Sequence, residues 1–327
     1  MELKKQDLVI LNALFQNCRL SNKEISKLAK ITKETTAAKI STLEKENIIR
    51  GYGLKLDYDL LGFIEYNLFL RLKKVKKENF DELIKFLEGH KNVTWIGKAF
   101  GKFDLKIAIL VKDHNDIRNF QSKLYSKFGE SLDLLETLLL TDKYKAPTQT
   151  IIKNLTKEDI PIKHIRKNKI KNTLDIQIEK LDKQIMYELG QNARERLTKI
   201  GYDLDVSSEV VKYRLEKLKK AGIVKGFGVI IDGNKFEKVV CVILVNVNEE
   251  KMEDLKSFLK KHEFLTTYSQ TIGPYNFNFT LSVNSIVDLY EELNNIRSEY
   301  SQYIRDFDFQ IFFDFFKYPK IPKCILE

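Results

Sequence analysis

The feature that most constrains this 327-residue chain is a repeat within its own sequence. A shift of 175 residues superposes about fifty residues without an insertion, and a shift of 172 aligns a later stretch. The matched residues include Gln16 with Gln191, Arg19 with Arg194, Gly51 with Gly226, Gly101 with Gly273, and Asp104 with Asn276. A long repeat in constant register usually reflects one structural unit present more than once. The sequence therefore predicts two copies of a two-part unit.

The first part of each copy has the pattern of three helices followed by a hairpin. Apolar residues from Asp7 to Phe15 recur at helical spacing, and Ser21 with Glu24 matches a capping box that opens a second helix. Thr32 precedes the third helix, as Ser207 does in the second copy. Asn47 and Gly222 tolerate the left-handed conformation in which helices often end, and glycine-bearing segments after them favour two short strands. Two winged helix-turn-helix domains are predicted, with a purely structural three-helix module as the alternative.

The second part of each copy has the order strand, helix, strand, strand, helix, strand. Strict alternation of apolar residues is plainest from Phe307 to Phe315, near the end of the second copy. This βαββαβ order is typical of a ferredoxin-like sheet with helices on one face and the other face left to be covered. Because aromatic residues crowd the last strand, we expect the two sheets to pair, within the chain or between chains.

The predicted fold class is α+β, with four domains and a linker. The boundaries are 1–57 for the first winged helix-turn-helix, 58–144 for the first ferredoxin-like (RAM-type) domain, 145–175 for a basic linker, 176–232 for the second winged helix-turn-helix, and 233–327 for the second ferredoxin-like domain. The net charge of the chain is +10, and residues 144–177 carry eight basic groups against three acidic ones. Such a run attracts polyanions, but it is also the usual composition of a solvated linker.

Composition argues against several other classes of protein. No apolar run approaches the roughly 20 residues of a membrane span, and the first residues lack the pattern of a secretory signal. The three cysteines and four histidines are scattered, which favours neither a disulfide framework nor a metal site. We therefore expect a cytoplasmic protein without a metal or a cofactor.

The combined order of motifs resembles the Lrp/AsnC family of prokaryotic transcription regulators. The residues that carry the resemblance in the second copy include Asp182, Ile185, Leu189, Arg194, Ser207, Val211, Arg214, Leu215, Leu218, Gly222 and Phe227; those in the first include Asp7, Ile10, Leu14, Arg19, Thr32, Lys39, Ile40, Leu43 and Gly51. The turn before the third helix holds Lys30 and Asp205 where that family commonly has a glycine. The resemblance implies a DNA-binding regulator whose RAM-type domain binds a small effector such as an amino acid, and which assembles as a homo-oligomer through its sensor sheets.

Helix N-termini with hydroxyls suit phosphate contacts, and cations on the third helix suit the major groove. The candidate DNA-binding residues are Ser21, Thr32, Lys33, Thr35, Lys39, Arg50, Lys55, Ser207, Ser208, Lys212, Arg214 and Lys225. Each cation could equally be an ordinary surface charge. For Lys39 and Arg214 there is a further alternative, in which the side chain braces the helix instead of touching DNA.

The candidate effector-binding residues follow from the resemblance alone. They are Gly101, Asp104, Gly273 and Asn276, which lie between the second and third strands of each sheet. A tight strand connection is the alternative explanation for these residues.

Two other functions stay open. Some tandem chains of this kind are similar to siroheme decarboxylases, but the stretch from Leu265 to Ile272 contains neither the histidine nor the arginine expected to hold propionate groups. Because no positioned acid or carboxylate-binding cation is evident, we expect no catalytic residues and no enzyme. The third possibility is a partner protein that keeps the winged-helix shape without binding DNA, and salt-dependent retention on DNA distinguishes it from a regulator.

Overall fold

A computed structural model of the chain describes residues 3–73, 76–147, 153, 177–318 and 320–327. These residues form two compact units. The first unit contains residues 3–63, 177–232 and 320–327, and the second contains residues 64–147, 153 and 233–318. Each unit thus takes residues from both halves of the chain. The finer division into four domains stays a prediction, and most of the predicted linker, 145–175, lies outside the described residues.

The helices and the strands of the βαββαβ parts follow in the order that the sequence predicts, whereas a single strand follows each set of three helices. The helices are α1 (Lys5–Gln16), α2 (Asn22–Ala29), α3 (Lys33–Lys45), α4 (Lys77–Gly89), α5 (His114–Phe128), α6 (Lys180–Gln191), α7 (Leu197–Asp203), α8 (Ser208–Lys220), α9 (Met252–Lys261) and α10 (Ile286–Tyr300). The strands are β1 (Ile49–Leu56), β2 (Ile64–Leu72), β3 (Val93–Gly101), β4 (Leu105–Val111), β5 (Leu132–Lys145), β6 (Val224–Ile231), β7 (Val239–Val247), β8 (Leu265–Ile272), β9 (Phe277–Val283) and β10 (Ile304–Lys317). Within the described ranges, every helix is too short or too polar to span a lipid bilayer.

The first unit contains two sets of three helices, α1–α3 and α6–α8. Each set encloses apolar side chains at helical spacing, among them Ile10, Leu14, Ile25 and Leu43 in one and Ile185, Leu189, Ile200 and Leu218 in the other. Asn47 and Gly222 have φ angles of 57° and 79° just after α3 and α8. The predicted left-handed helix ends are therefore confirmed.

The predicted hairpin after each third helix is wrong. Each glycine-bearing segment forms one continuous strand, and β1 pairs antiparallel with β6 of the other half. Gly53 lies directly opposite Gly228 in this pairing. A Cβ atom on Gly228 would lie 2.7 Å from the Cε atom of Lys55, so the glycine leaves room for the lysine side chain and makes no turn.

The second unit is a closed eight-stranded antiparallel sheet with helices packed on its outside. Its strand order is β10-β3-β4-β2-β5-β8-β9-β7, and β7 pairs with β10 to complete the circle. Each half supplies four neighbouring strands, joined by the β5–β8 and β10–β3 pairings. The expected pairing of sheets thus occurs within the chain. Every edge strand of the two four-stranded sheets is paired in this way, and the expected homo-oligomer stays a prediction.

The closed sheet separates two helix-side cores from an inner cluster. Alternate residues of β2 and β4, such as Leu68 and Ile107, pack under α4 and α5, whereas Phe279 of β9 belongs to the corresponding core of the second half. The strand residues that alternate with these core residues point inward. Phe69 and Phe312 are among them and belong to an inner cluster rich in aromatic side chains. The inner face therefore carries a set of side chains that none of the described helices covers.

Candidate nucleic-acid interface

Helix α3 presents one face to solvent and buries the other. Its N-terminus is capped by Thr32, whose Oγ1 accepts a hydrogen bond of 3.1 Å from the Thr35 backbone N–H. Ile40 and Leu43 are buried against α1 and α2, while Lys33 is exposed. The exposed face is completed by Thr35 and two small residues, Ala37 and Ala38. A capped helix with small outward residues can approach a DNA groove closely.

Helix α8 occupies the corresponding position in the second set. The hydroxyl of Ser207 accepts a hydrogen bond of 3.3 Å from the Val210 N–H and so caps the helix. Lys212 is exposed, and Tyr213 keeps 67% of its surface accessible. The exposed faces of α3 and α8 therefore differ in size and chemistry.

The turns before these two helices have the same unusual backbone. Lys30 and Asp205 both have a φ angle of 54°, in the left-handed region that favours glycine. Neither position holds the glycine that is usual there, yet both turns adopt the left-handed conformation.

Two of the candidate DNA-binding cations brace the third helices. The Nζ atom of Lys39 lies 2.9 Å from Oδ1 of Asp7 on α1. Arg214 donates to both carboxylate oxygens of Glu179, at 2.6 and 2.8 Å, and lies 3.5 Å from the buried Asp182. These pairs hold α3 against α1 and α8 against α6. The role of either residue in DNA binding stays a prediction.

Three further candidates lie on the paired strands. Arg50 of β1 donates to the buried Asp232 at 2.6 Å, and Lys225 of β6 lies 2.7 Å from Asp57. Burial raises the pKa of Asp57, but hydrogen bonds from Lys225 and from backbone N–H groups outweigh it and leave the pKa below its usual value. Lys55 donates to the backbone carbonyl of Phe15 at 3.2 Å. Arg50 and Lys225 therefore join the two halves of the first unit, whereas Lys55 bonds within the first half.

The remaining hydroxyl candidates make local hydrogen bonds. The Ser21 hydroxyl accepts from the Glu24 N–H at 3.2 Å, and the Ser21 backbone N–H donates to the Glu24 carboxylate at 2.8 Å, which completes the predicted capping box. Ser208 donates to Glu209 at 3.2 Å. Both side chains stand in the first turn of their helix or just before it, where backbone N–H groups are free for a phosphate.

A pair of arginines that was not among the candidate site residues connects the two helix sets. Arg19 donates to the carbonyls of Ala193 and Glu195 at 2.7 and 3.0 Å, and its guanidinium lies 5.6 Å from the Phe227 ring centroid. Arg194 likewise stacks over Tyr52, at 5.2 Å. The recurrence of an arginine and an aromatic residue at the same shift of 175 was the signal available in the sequence.

The candidate effector residues form connections between strands. Asp104 accepts a hydrogen bond of 2.7 Å from the Leu72 N–H, and Asn276 binds both backbone groups of Val247. Gly101 and Gly273 have φ angles of 143° and 152°, and a Cβ atom on either would lie within 2.6 Å of a backbone oxygen. These contacts account for all four residues as structural elements, and an effector role stays a prediction.

Comparison with known proteins identifies the helix-turn-helix. Residues 3–50 match a family described as winged helix-turn-helix DNA-binding. An HTH-type transcriptional regulator of Pyrococcus furiosus, itself uncharacterised, is 27% identical over 128 residues, which cover 38% of this chain and 82% of the relative. The chain therefore contains a helix-turn-helix of the DNA-binding kind and is similar to archaeal HTH-type transcriptional regulators.

One solved structure is similar in fold to nearly the whole chain, and another matches less than half of it. The siroheme decarboxylase NirDL, in complex with an iron-uroporphyrin III analogue, matches 97% of this chain and 94% of its own with a TM-score of 0.63 and 13% identity. An AsnC family regulator from Agrobacterium tumefaciens covers 43% of this chain and 91% of its own with a TM-score of 0.39 and 15% identity. The expectation that the chain is not an enzyme is contradicted, because the solved fold that spans nearly all of it belongs to an enzyme.

Proposed function

We propose that this chain is a sequence-specific DNA-binding transcriptional regulator that carries two DNA-reading helices in one polypeptide. The observation that supports the proposal most directly is the exposed, capped α3 within the segment that matches the winged helix-turn-helix family. We further propose that the two halves are copies of one Lrp/AsnC-like unit, as their shared element order suggests. Modulation by a small effector such as an amino acid is part of the proposal.

The two reading helices are proposed to prefer different half-sites. The outer face of α3 carries mostly small side chains, whereas that of α8 carries Lys212 and Tyr213. The groups available to base edges therefore differ. A footprint on the DNA upstream of the protein's own gene, with and without amino acids, tests the proposal. We expect a protected site of imperfect symmetry, and binding that weakens steeply with salt because phosphate contacts release counterions.

Two variants and a matched control test whether the exposed cations of α3 and α8 bind DNA. Lys33→Ala and Lys212→Ala remove exposed cations, so each is expected to lower DNA affinity and to reduce the salt dependence by about one unit of slope. Lys85→Ala removes an exposed cation from α4 and is the control. Retention on DNA that ignores salt, or that falls equally in the control, would argue for the partner-protein alternative.

The second candidate is a tetrapyrrole enzyme, favoured by the fold likeness to NirDL. A shared fold alone does not carry a reaction, and strand β8 offers no histidine or arginine for carboxylates. The absorption spectrum of the protein after addition of a tetrapyrrole tests this candidate. A shifted Soret band would support it, and an unchanged spectrum would count against it.

A further inference from the structure

An unpaired cation stands on the inner face of the closed sheet. In β4, Leu105 and Ile107 pack in the helix-side core, so Lys106 between them points to the other side. Its Nζ atom lies 5.7 Å from the Phe69 ring centroid and 5.5 Å from that of Trp95. Two aromatic faces therefore flank the ammonium group.

No anion within the described residues neutralises this cation directly. Lys106 makes no hydrogen bond or ion pair there, and burial lowers its pKa to about 8 against a weaker opposing attraction from Glu65. The Glu65 carboxylate itself lies 3.3 Å from Lys143. A partly buried ammonium without an ion pair loses hydration that no anion replaces, so its retention calls for an explanation.

Strands β5 and β9, which are not adjacent to β4, add further donors to the inner face. Tyr144 packs toward the helix-side core, so Lys143 and Lys145 on either side of it point inward. Lys145 forms no side-chain hydrogen bond or ion pair with the described residues, and its side chain is exposed at the end of β5. Lys143 is paired across the strands with Ser269, which in turn is paired with Asn278.

Asn278 is the most telling of these groups. It is only 4% exposed, and its Nδ2 atom has no hydrogen-bond partner among the residues that the structure describes. Phe277 and Phe279 on either side belong to the helix-side core, which directs the Asn278 amide inward. An unsatisfied buried donor destabilises the fold unless a ligand accepts its hydrogen bond.

We propose that the inner face of the closed sheet binds an anionic small molecule, a carboxylate or a phosphate, through Lys106, Lys145 and the amide of Asn278. These groups are all hydrogen-bond donors and two are cations, a set that recognises oxyanions. Trp95 and Phe69 supply apolar walls beside the charge. The inference goes beyond DNA binding and does not depend on it.

The only tryptophan of the chain makes the site directly observable. Trp95 lies beside Lys106, so its fluorescence should change when an anion binds. The full-length protein is titrated with pyrophosphate and with citrate, against sodium chloride of matched ionic strength. We expect a saturable change with at least one of the two anions, and a dissociation constant at least about tenfold larger in Lys106→Met and in Lys145→Met.

The exposed Lys85 of α4 provides the control, and Lys85→Met should bind as the original protein does. Thermal unfolding of each variant checks its fold. Lys145→Met removes an exposed side chain at the end of β5 and carries the test if Lys106→Met fails to fold. The absence of saturation up to about 10 mM of both anions would overturn the proposal. Saturation unaffected by both inner-face variants would overturn it as well, because the anion would then bind elsewhere.

Discussion

At the scale of single residues, the ion pairs of the third helices separate stability from DNA reading. Arg214 stands between Glu179 and the buried Asp182, so Arg214→Ala leaves Asp182 without its cation. We expect the free energy of unfolding to fall by about 1–2 kcal/mol, after allowance for solvent screening. Urea unfolding measures this change. Replacement of the exposed Lys212 by alanine should leave the free energy of unfolding unchanged to within about 0.5 kcal/mol. The reverse pattern would contradict the bracing role of Arg214.

Also at the residue scale, His90 should make stability depend on pH. Burial lowers the pKa of His90 to about 4, helped by nearby lysines, and its ring packs 4.8 Å from that of Phe120. In the unfolded chain, His90 binds a proton below a pH of about 6.5, whereas in the folded chain it binds one only near pH 4. Stability therefore falls as the pH drops through this window, by about 1 kcal/mol for this partly exposed ring. Urea unfolding at pH 7 and pH 4.5 should show a smaller drop in His90→Gln, and an equal drop would refute the assignment.

At the scale of elements, the turn between α2 and α3 stores a small strain. Lys30 holds a φ angle of 54° that costs a residue with a Cβ atom about 1 kcal/mol. Lys30→Gly is expected to raise the free energy of unfolding by roughly this amount, measured by urea unfolding. Lys27→Gly, at an exposed position inside α2, is the control and should lower it by about 1 kcal/mol. Destabilisation by Lys30→Gly would mean that the lysine side chain contributes more than the backbone strain costs.

The elements also show where reasoning from the sequence is sufficient and where it fails. Capping boxes and helical spacing are local, so the helices and their ends at Asn47 and Gly222 follow from the residues alone. The pairing of Gly53 with Gly228 is not local, because the two lie 175 residues apart and nothing near either one distinguishes a strand from a hairpin. For the same reason the sequence identifies the candidate cations but not the partner of each, because Arg50 and Asp232 meet only after β1 and β6 have paired.

At the scale of the whole molecule, one lysine joins the two halves of the closed sheet. The Nζ atom of Lys102 lies 3.2 Å from Glu136 of the first half and 3.2 Å from Asp308 of the second, and it donates to Tyr275. Burial alone would lower the pKa of Lys102, but the hydrogen bonds to Tyr275, Asp308 and Glu136 raise it above its usual value. The site has no counterpart at the equivalent position, which is Pro274.

A double-mutant cycle measures this link. Lys102→Met should lower the free energy of unfolding by about 2–3 kcal/mol, because two carboxylates lose their shared cation. The same change in a Glu136→Gln background should cost less by at least about 0.5 kcal/mol, since only one carboxylate then remains. Thermal or urea unfolding of the four proteins gives the coupling energy. Additive losses would show that Lys102 acts independently of Glu136.

The closure of the sheet, with β5 on β8 and β10 on β3, has a consequence for how the protein responds to dilution. Two separate subunits that met along such edges would come apart as their concentration fell, with an equilibrium set by mass action. Here the two edges belong to one polypeptide, so their encounter is governed by a fixed effective concentration. The state of this pairing is therefore the same when a cell holds few copies of the chain as when it holds many.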